Sequence, residues 1–221
     1  MNIAIDGPAG AGKSSIAKLV AKKRGIVYVD TGAMFRAFGL ACIRADRDLD
    51  NESAVADCIS GVDIGIEYQD GVQHIFLGGE DVSEEIRKEE VGKAASSVAR
   101  YTAVRERLLD LQRDLAKKQF VIMDGRDIGT VVLPDAEVKI FLTASVDVRA
   151  MRRYKELTEK GVSCDLDEIK KDIADRDEQD RNRPIAPLKQ ADDAVLVDTS
   201  DMSIEQVVDR IMEIADGNKD S

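Results

Sequence analysis

With one histidine and three cysteines, the chain has little from which to build a metal centre. Cys42, Cys58 and Cys164 are an odd set without paired metal-ligand spacing, and His74 has no second imidazole to work with. The three read as buried or incidental thiols of a reducing cytoplasm. Long apolar runs are missing too, since nothing approaches the ~20 residues of a membrane span. The apolar start is broken by Asp6 and a Gly-rich loop, so no signal peptide is expected. Positive charge is also scarce, with 32 Lys and Arg against 43 Asp and Glu, a net charge of −11. Such a surface repels nucleic acid and anionic membrane, so a phosphate ligand would need a locally basic pocket. No internal repeat or low-complexity linker divides the 221 residues, which suit one domain with inserted lobes.

What is present alternates between two textures. Asn2–Ile5 is a short apolar run, and Ile16, Leu19, Val20 and Ala21 then recur at helical spacing until Gly25. Ile26–Val29 reads as a buried strand, and a helix is expected from Ala33 to Ala45. Val62–Tyr68 and Gln73–Leu77 alternate like strands across Asp70-Gly71, a strong hairpin signal. Val104, Leu108, Leu111 and Leu115 mark a long amphipathic helix. Phe120–Met123 and, apart from Lys139, Val138–Leu142 are apolar runs, as in strands covered on both faces. Charged helices are expected at 146–160 and 166–178, a last strand at Ala194–Val197, and a closing helix striped by Ile204, Val207, Val208, Ile211 and Ile214. The polar tail 216–221 is expected to fray. Five buried strands interleaved with helices imply an α/β fold, a five-stranded parallel sheet with helices on both faces and a small antiparallel insert near 62–82.

The strongest motif is Gly7-Pro8-Ala9-Gly10-Ala11-Gly12-Lys13-Ser14, with Ser15 following, which matches the phosphate-binding loop GxxxxGK[ST]. It follows an apolar strand and opens a helix, as the mechanism requires. Backbone N–H groups can close around phosphates there, and the helix start adds its positive end. Lys13 would reach the β- and γ-phosphates of ATP, and the Ser14 hydroxyl would ligate Mg²⁺. The plainer reading is a Gly-rich strand-to-helix turn.

A guanine-reading NKxD motif is missing from the late strands. Asn218-Lys219 falls in the tail, with Ser221 where the Asp would stand. The middle strand ends instead in Asp124-Gly125-Arg126-Asp127. In an open α/β sheet the carboxyl ends of strands face the ligand, so Asp124 could hold a Mg²⁺ water there. The bland alternative is a solvated turn. Arg176, Arg181 and Arg183 crowd one short stretch, after Arg149, Arg152 and Arg153 on the preceding helix. A run of this kind is often just a solvated helix face. Arginine in preference to lysine points instead to bidentate phosphate recognition, on a lid that excludes water.

On Asp30-Thr31-Gly32-Ala33, Gly79-Glu80-Asp81-Val82-Ser83, Val104-Arg105-Glu106, Asp124 to Val132, and Asp180-Arg181-Asn182-Arg183 with Ala186-Pro187-Leu188, the chain resembles bacterial cytidylate kinases over essentially its whole length. The resemblance implies a single P-loop kinase domain, with a monophosphate-binding lobe at about 33–103 and a lid at about 158–184. It implies transfer of the γ-phosphoryl group of ATP to CMP or dCMP, with Mg²⁺. Lys13, Arg126 and Arg183 would be catalytic, and Arg152 and Arg153 would join the loop on the ATP side. Arg36, Arg126 and Arg183 would hold the acceptor phosphate, Ser96, Arg105 and Asp127 would read cytosine, and Thr31, Arg176 and Asp180 complete the acceptor set. Asp127 with Arg105 complements cytosine chemically: a carboxylate accepts from the N4 amino group, and a guanidinium donates to N3 and O2. Uracil reverses that pattern. Phe35 stands where many relatives carry Tyr and is given no role. ATP and CMP or dCMP are the expected partners, without nucleic acid or membrane, for a cytoplasmic monomer. A UMP-preferring kinase and a non-catalytic ATP sensor remain the other readings.

Overall fold

The computed structural model describes residues 1–217, so the readings placed on Asn218, Lys219 and Ser221 lie outside the described residues. In chain order the elements are β1 (Ile3–Asp6), α1 (Lys13–Arg24), β2 (Val27–Asp30), α2 (Thr31–Arg44), α3 (Glu52–Ser60), β3 (Ile64–Gln69), β4 (Val72–Leu77), β5 (Glu80–Asp81), α4 (Glu89–Val98) and α5 (Thr102–Lys118). After them come β6 (Val121–Gly125), a π-helical turn (Ile128–Val132), β7 (Val138–Thr143), α6 (Val146–Glu159), α7 (Leu166–Asn182), β8 (Val195–Asp198) and α8 (Ile204–Gly217). The chain forms two compact units, one of Met1–Ile26 with the chain from Val121 onward, the other of Val27–Phe120.

The expected five-stranded parallel sheet is present, in the order β2-β6-β1-β7-β8. Within the first unit β1 lies between β6 and β7, with Ile3 opposite both Ile122 and Val138. Ile3, Ala4 and Ile5 are wholly buried, and each fully buried Ile is worth ~1.5–3 kcal/mol, so β1 is firmly seated. α1 starts at Gly12 and stops at Gly25, both left-handed, and it buries Ile16, Ala17, Val20 and Ala21. Leu19, expected on that stripe, is exposed. The closing helix buries Val207, Val208, Ile211 and Ala215 but leaves Ile204 in solvent.

Three expectations need correction. The last strand is an edge strand, not a buried one: Val195 and Leu196 are 37% and 55% exposed. Phe120 is outside its strand and exposed; its carbonyl accepts from the Val27 N–H at 3.2 Å. Residues 216–217 of the expected fraying tail are helical, the end of α8, with Arg24 paired to Asp216 at 2.7 Å, and the rest of that tail lies outside the described residues.

In the second unit the hairpin lies where the Asp-Gly signal put it. Gln69 pairs with Val72 across Asp70 and Gly71, both at positive φ, as a tight antiparallel turn demands. β5 adds a third antiparallel strand against β4. Ala33, Ala37 and Leu40 of α2 form a core with Ile75, Val82, Ile86 and Val91, against which Ile64, Ile66 and Leu77 pack. α2 and α4 approach so closely that a Cβ on Gly39 would come 2.9 Å from the Ala95 nitrogen. This contact seats α4 beside α2. The three thiols are free, and burial, with Cys58 nearby, pushes the Cys42 thiol up to about 12. Among the described residues no helix is long and apolar enough to cross a membrane.

Candidate functional site

The phosphate-binding loop leaves β1 through Gly7, at φ 151°, where an added Cβ would lie 1.9 Å from the Leu142 carbonyl oxygen. Only glycine lets the backbone pass β7 there. The loop continues through Pro8, Ala9, Gly10 and Ala11 to Gly12 and the first turn of α1, where Ser14 and Ser15 stand exposed. Lys13 folds back into the loop, and its Nζ donates to the Pro8 carbonyl at 2.7 Å. Burial, then the nearby Arg126 guanidinium, pulls its amine down to about 7. The Ser14 hydroxyl donates to Asp124 Oδ2 at 2.8 Å, which joins the helix start to the end of β6. The two residues assigned to Mg²⁺ are thus neighbours.

Asp124-Gly125-Arg126-Asp127 is no solvated turn, since Asp124 and Asp127 are each 5% exposed. Arg126 Nε donates to Asp180 Oδ2 at 2.7 Å, and Arg183 Nη2 donates to Asp127 Oδ1 at 3.1 Å. Arg183 also lies 3.8 Å from Asp180. Burial pushes the Asp180 carboxyl up, but Arg126, Arg183 and Arg176 outweigh it and hold it below the usual carboxylate range. Four residues that the resemblance gave to the acceptor, two at the end of β6 and two on the lid run, therefore form one network in the first unit. The charged helix reaches Asn182, past the expected 178, so Arg176, Asp180 and Arg181 lie on α7 and Arg183 caps it.

Arg149, Arg152 and Arg153 on α6 have structural partners. Arg149 binds Asp177 through two guanidinium nitrogens, at 3.0 and 2.5 Å, and donates to the Ala9 carbonyl of the loop at 2.9 Å. Arg152 donates to the Thr199 hydroxyl and carbonyl, whereas Arg153 pairs with Glu156.

One buried group was not read as functional from sequence. Asp6, 4% exposed at the end of β1, accepts the Ile128 and Gly129 N–H groups, each at 2.7 Å. Burial outweighs these bonds, and with Asp127 nearby the carboxyl rises to about 6, although Lys13 pulls the other way. Its signal was an acid closing a wholly apolar strand immediately before the glycine loop. In the unfolded chain this carboxyl titrates near 3.8, so the native state binds the extra proton between about pH 4 and 6. Stability from this group is therefore greatest below that window and falls as pH rises through it, by about 3 kcal/mol. In urea titrations, Asp6→Asn should lose that share of the pH dependence. An unchanged stability-against-pH profile would refute it.

In the second unit Asp30 ends β2 and caps α2, accepting from the Ala33 N–H at 2.8 Å. Gln73 fixes its backbone with bonds to the Asp30 N–H and carbonyl. The other Asp30 oxygen accepts from Arg36 Nη2 at 2.9 Å. Thr31 is buried in the first turn of α2. Ser96 lies on α4, its hydroxyl 3.4 Å from the Gly92 carbonyl. Arg105, on α5, donates to the Ala99 carbonyl and lies 5.5 Å over the Phe35 ring. Phe35, left without a role by the sequence, touches a residue that was given one.

The family model for cytidylate kinase matches residues 3–217. Cytidylate kinases of Bacillus cereus (strain G9842) and Bacillus thuringiensis (strain Al Hakam) are each 50% identical over 217 residues, 98% of this chain and 96% of theirs. Among solved structures, an uncharacterized protein from Eubacterium ventriosum superposes with a TM-score of 0.56 at 15% identity, covering 98% of both chains. Shikimate kinase from Bacteroides thetaiotaomicron gives 0.50, also at 15% identity and 98% coverage of both. At that identity these two structures speak to the fold alone. The curated relatives carry the family.

Proposed function

Because the chain belongs to the cytidylate kinase family, we propose that it moves the γ-phosphoryl group of ATP to CMP or dCMP, giving ADP and CDP or dCDP. The observation that carries this reading is the network of Arg126, Asp127, Asp180 and Arg183 beside the phosphate-binding loop. A protein that only sensed ATP would have no use for two guanidinium groups and a buried carboxylate at this strand end.

The acceptor phosphate needs no general base, because its second pKa of about 6 leaves it largely ionised at pH 7. Positioning and charge neutralisation then supply the acceleration. Lys13 binds the donor's phosphates, aided by the loop's backbone N–H groups. Arg126 and Arg183 hold the acceptor phosphate, and Asp127 accepts from the cytosine amino group. Arg176 and Asp180 serve the ribose. Within the second unit, Thr31, Ser96 and Arg105 are assigned to the acceptor nucleoside and Arg36 to its phosphate. In support, Arg36 Nε is shielded from solvent and has no hydrogen-bond partner among the described residues. Such an orphan donor costs ~1–3 kcal/mol until an acceptor satisfies it. Residues 158–184 act as a lid, and Arg152 and Arg153 lie on the ATP side. The enzyme is read as a cytoplasmic monomer acting on small molecules, in keeping with its net charge of −11.

The donor set fits Mg²⁺. Ser14 and Asp124 offer hard oxygens 2.8 Å apart, Asp124 acting through water. Among the described residues no cluster of three or more His, Cys, Asp or Glu could cage a metal, so the ion would arrive with the nucleotide. When bound, Mg²⁺ supplies charge neutralisation at the phosphates.

The test is an acceptor screen of CMP, dCMP, UMP, AMP and dTMP, reading ADP formation. CMP and dCMP should lead, and a lead by any other monophosphate would overturn the reading. Asp127→Ala tests base selection within it. Loss of a charge-assisted buried bond should lower kcat/KM for CMP by ~2–4 kcal/mol. UMP should lose much less, since uracil turns its O4 towards the carboxylate. The CMP-to-UMP ratio should fall towards unity, and equal losses for both would reassign Asp127 to metal or folding.

A further inference from the structure

Asp6 takes no part in the chemistry above, yet it is a buried carboxylate on the strand that feeds the phosphate-binding loop. Its two oxygens take the N–H groups of Ile128 and Gly129, the residues immediately after Asp127. From the other side, the Asp127 carbonyl accepts the N–H groups of Val131 and Val132, at 2.9 and 3.2 Å. The backbone that leaves Asp127 is therefore clasped at both peptide ends. The π-helical turn that follows keeps Gly129 against Asp6: an added Cβ would stand 3.4 Å from Asp6 Oδ2 and 3.2 Å from Lys139 Cδ. Asp127 itself sits at φ −146° and ψ 27°, off the regular strand and helix values, so its direction is set by these outside bonds.

We infer that Asp6 is a positioning residue for the acceptor base: it fixes the backbone after Asp127 and so aims the carboxylate that reads cytosine. This inference rests on the proposed role of Asp127. It also assigns the first strand a second task. The strand that delivers the donor's phosphate loop would, through one side chain, hold the acceptor-reading segment in register with it. The carboxylate suits this because each of its oxygens takes one of the two N–H groups, whereas an amide would turn an NH₂ towards one of them.

Asp6→Asn is the direct probe. The amide keeps the shape but turns an NH₂ towards one N–H, so a single bond survives. Loss of one such bond should raise KM for CMP about tenfold and lower the CMP-to-UMP ratio. Dissociation of ATP, measured without acceptor by a fluorescent analogue, should stay within about twofold, since Asp6 makes no hydrogen bond to the loop and is the smallest of the charges acting on Lys13. The melting temperature at pH 7 should stay within about 3 °C, because the variant also removes a buried charge. Hydrogen exchange at the Ile128 and Gly129 amides should accelerate at least tenfold by loss of their acceptor, a reading independent of turnover.

CMP kinetics within twofold of the parent would overturn the inference. So would parallel losses of ATP affinity, CMP affinity and melting temperature, which would make Asp6 a fold support only. Gly129→Ala, which wedges a methyl against Asp6 and leaves the carboxylate in place, decides by the same criteria if Asp6→Asn is insoluble. Failure of the proposed function looks different. There the parent would not favour CMP at all, while the amide exchange at 128 and 129 would still report whether the clasp exists.

Discussion

Lys13→Ala should abolish phosphoryl transfer, with kcat falling at least ~1,000-fold, or ~4 kcal/mol in the barrier. The side chain is the one cation on the loop itself, tucked against the Pro8 carbonyl and buried. Its amine is held low because burial and Arg126 both oppose the charge, and a triphosphate in the loop would relieve both effects. Binding of CMP should survive, within about threefold by calorimetric titration, because Lys13 is assigned to the donor. Folding should survive too, since the substitution removes a desolvated amine and not an apolar anchor. A variant that turned over within tenfold of the parent in a coupled ADP assay would remove the basis for reading this loop as the donor site.

The second large effect is expected on stability. Asp177→Ala should cost about 3–5 kcal/mol in urea unfolding, because it leaves the Arg149 guanidinium buried without its counter-charge. Side-chain exposures of 3% and 5% place this pair among the least solvated in the first unit. Against a total stability of 5–15 kcal/mol, that is a third or more for many domains of this size. The loss should reach the loop as well, since the same guanidinium holds the Ala9 carbonyl and its Nε holds that of Ala144. Replacing both partners with apolar side chains of similar volume should recover much of the stability. It should not recover ATP affinity, because the contact to Ala9 would still be missing. A cost below about 1 kcal/mol for the single variant would mean that water reaches Arg149 easily.

Much of the first unit was legible because its signals are local. An apolar run, a glycine loop and a helix of regular spacing lie in consecutive residues, and β1, the loop and α1 follow them. The hairpin was equally plain, since Asp70-Gly71 dictates a turn that few other pairs can make. The last strand misled because Val195 and Leu196 look the same in sequence whether or not something covers them; the β8 edge position is a property of the sheet. α3 and α4 were passed over. α3 buries only Val55 and Ile59, and the burial of α4 depends on the close approach at Gly39. The chemistry divides in the same way. Lys13 and Ser14 are fixed by the motif, whereas the pairing of Arg149 with Asp177 joins residues 28 positions apart on two helices. No spacing rule predicts it, and the run on α7 looks solvated until that partner is seen. Asp6 was noticed only as a break in an apolar stretch, because its two partners lie more than 120 residues downstream.

In each unit, the arginines assigned to phosphate already hold carboxylates: Arg36 with Asp30 in the second, Arg126 with Asp180 and Arg183 with Asp127 in the first. The resting protein thus carries its own counter-ions, and its clustered guanidinium groups do not repel one another unchecked. An arriving phosphate cannot simply land on bare positive charge; it has to displace a tethered anion of the protein. Because each guanidinium is already neutralised by a carboxylate, the site presents little net positive charge at a distance, and little of the attraction comes from the long-range field that salt screens. The KM for CMP should accordingly vary little between low and physiological ionic strength, unusual for a dianion bound by several arginines. The released carboxylates would then be free to take hydrogen bonds from the nucleoside, so that one swap both admits the phosphate and turns the protein's acids towards the sugar and base.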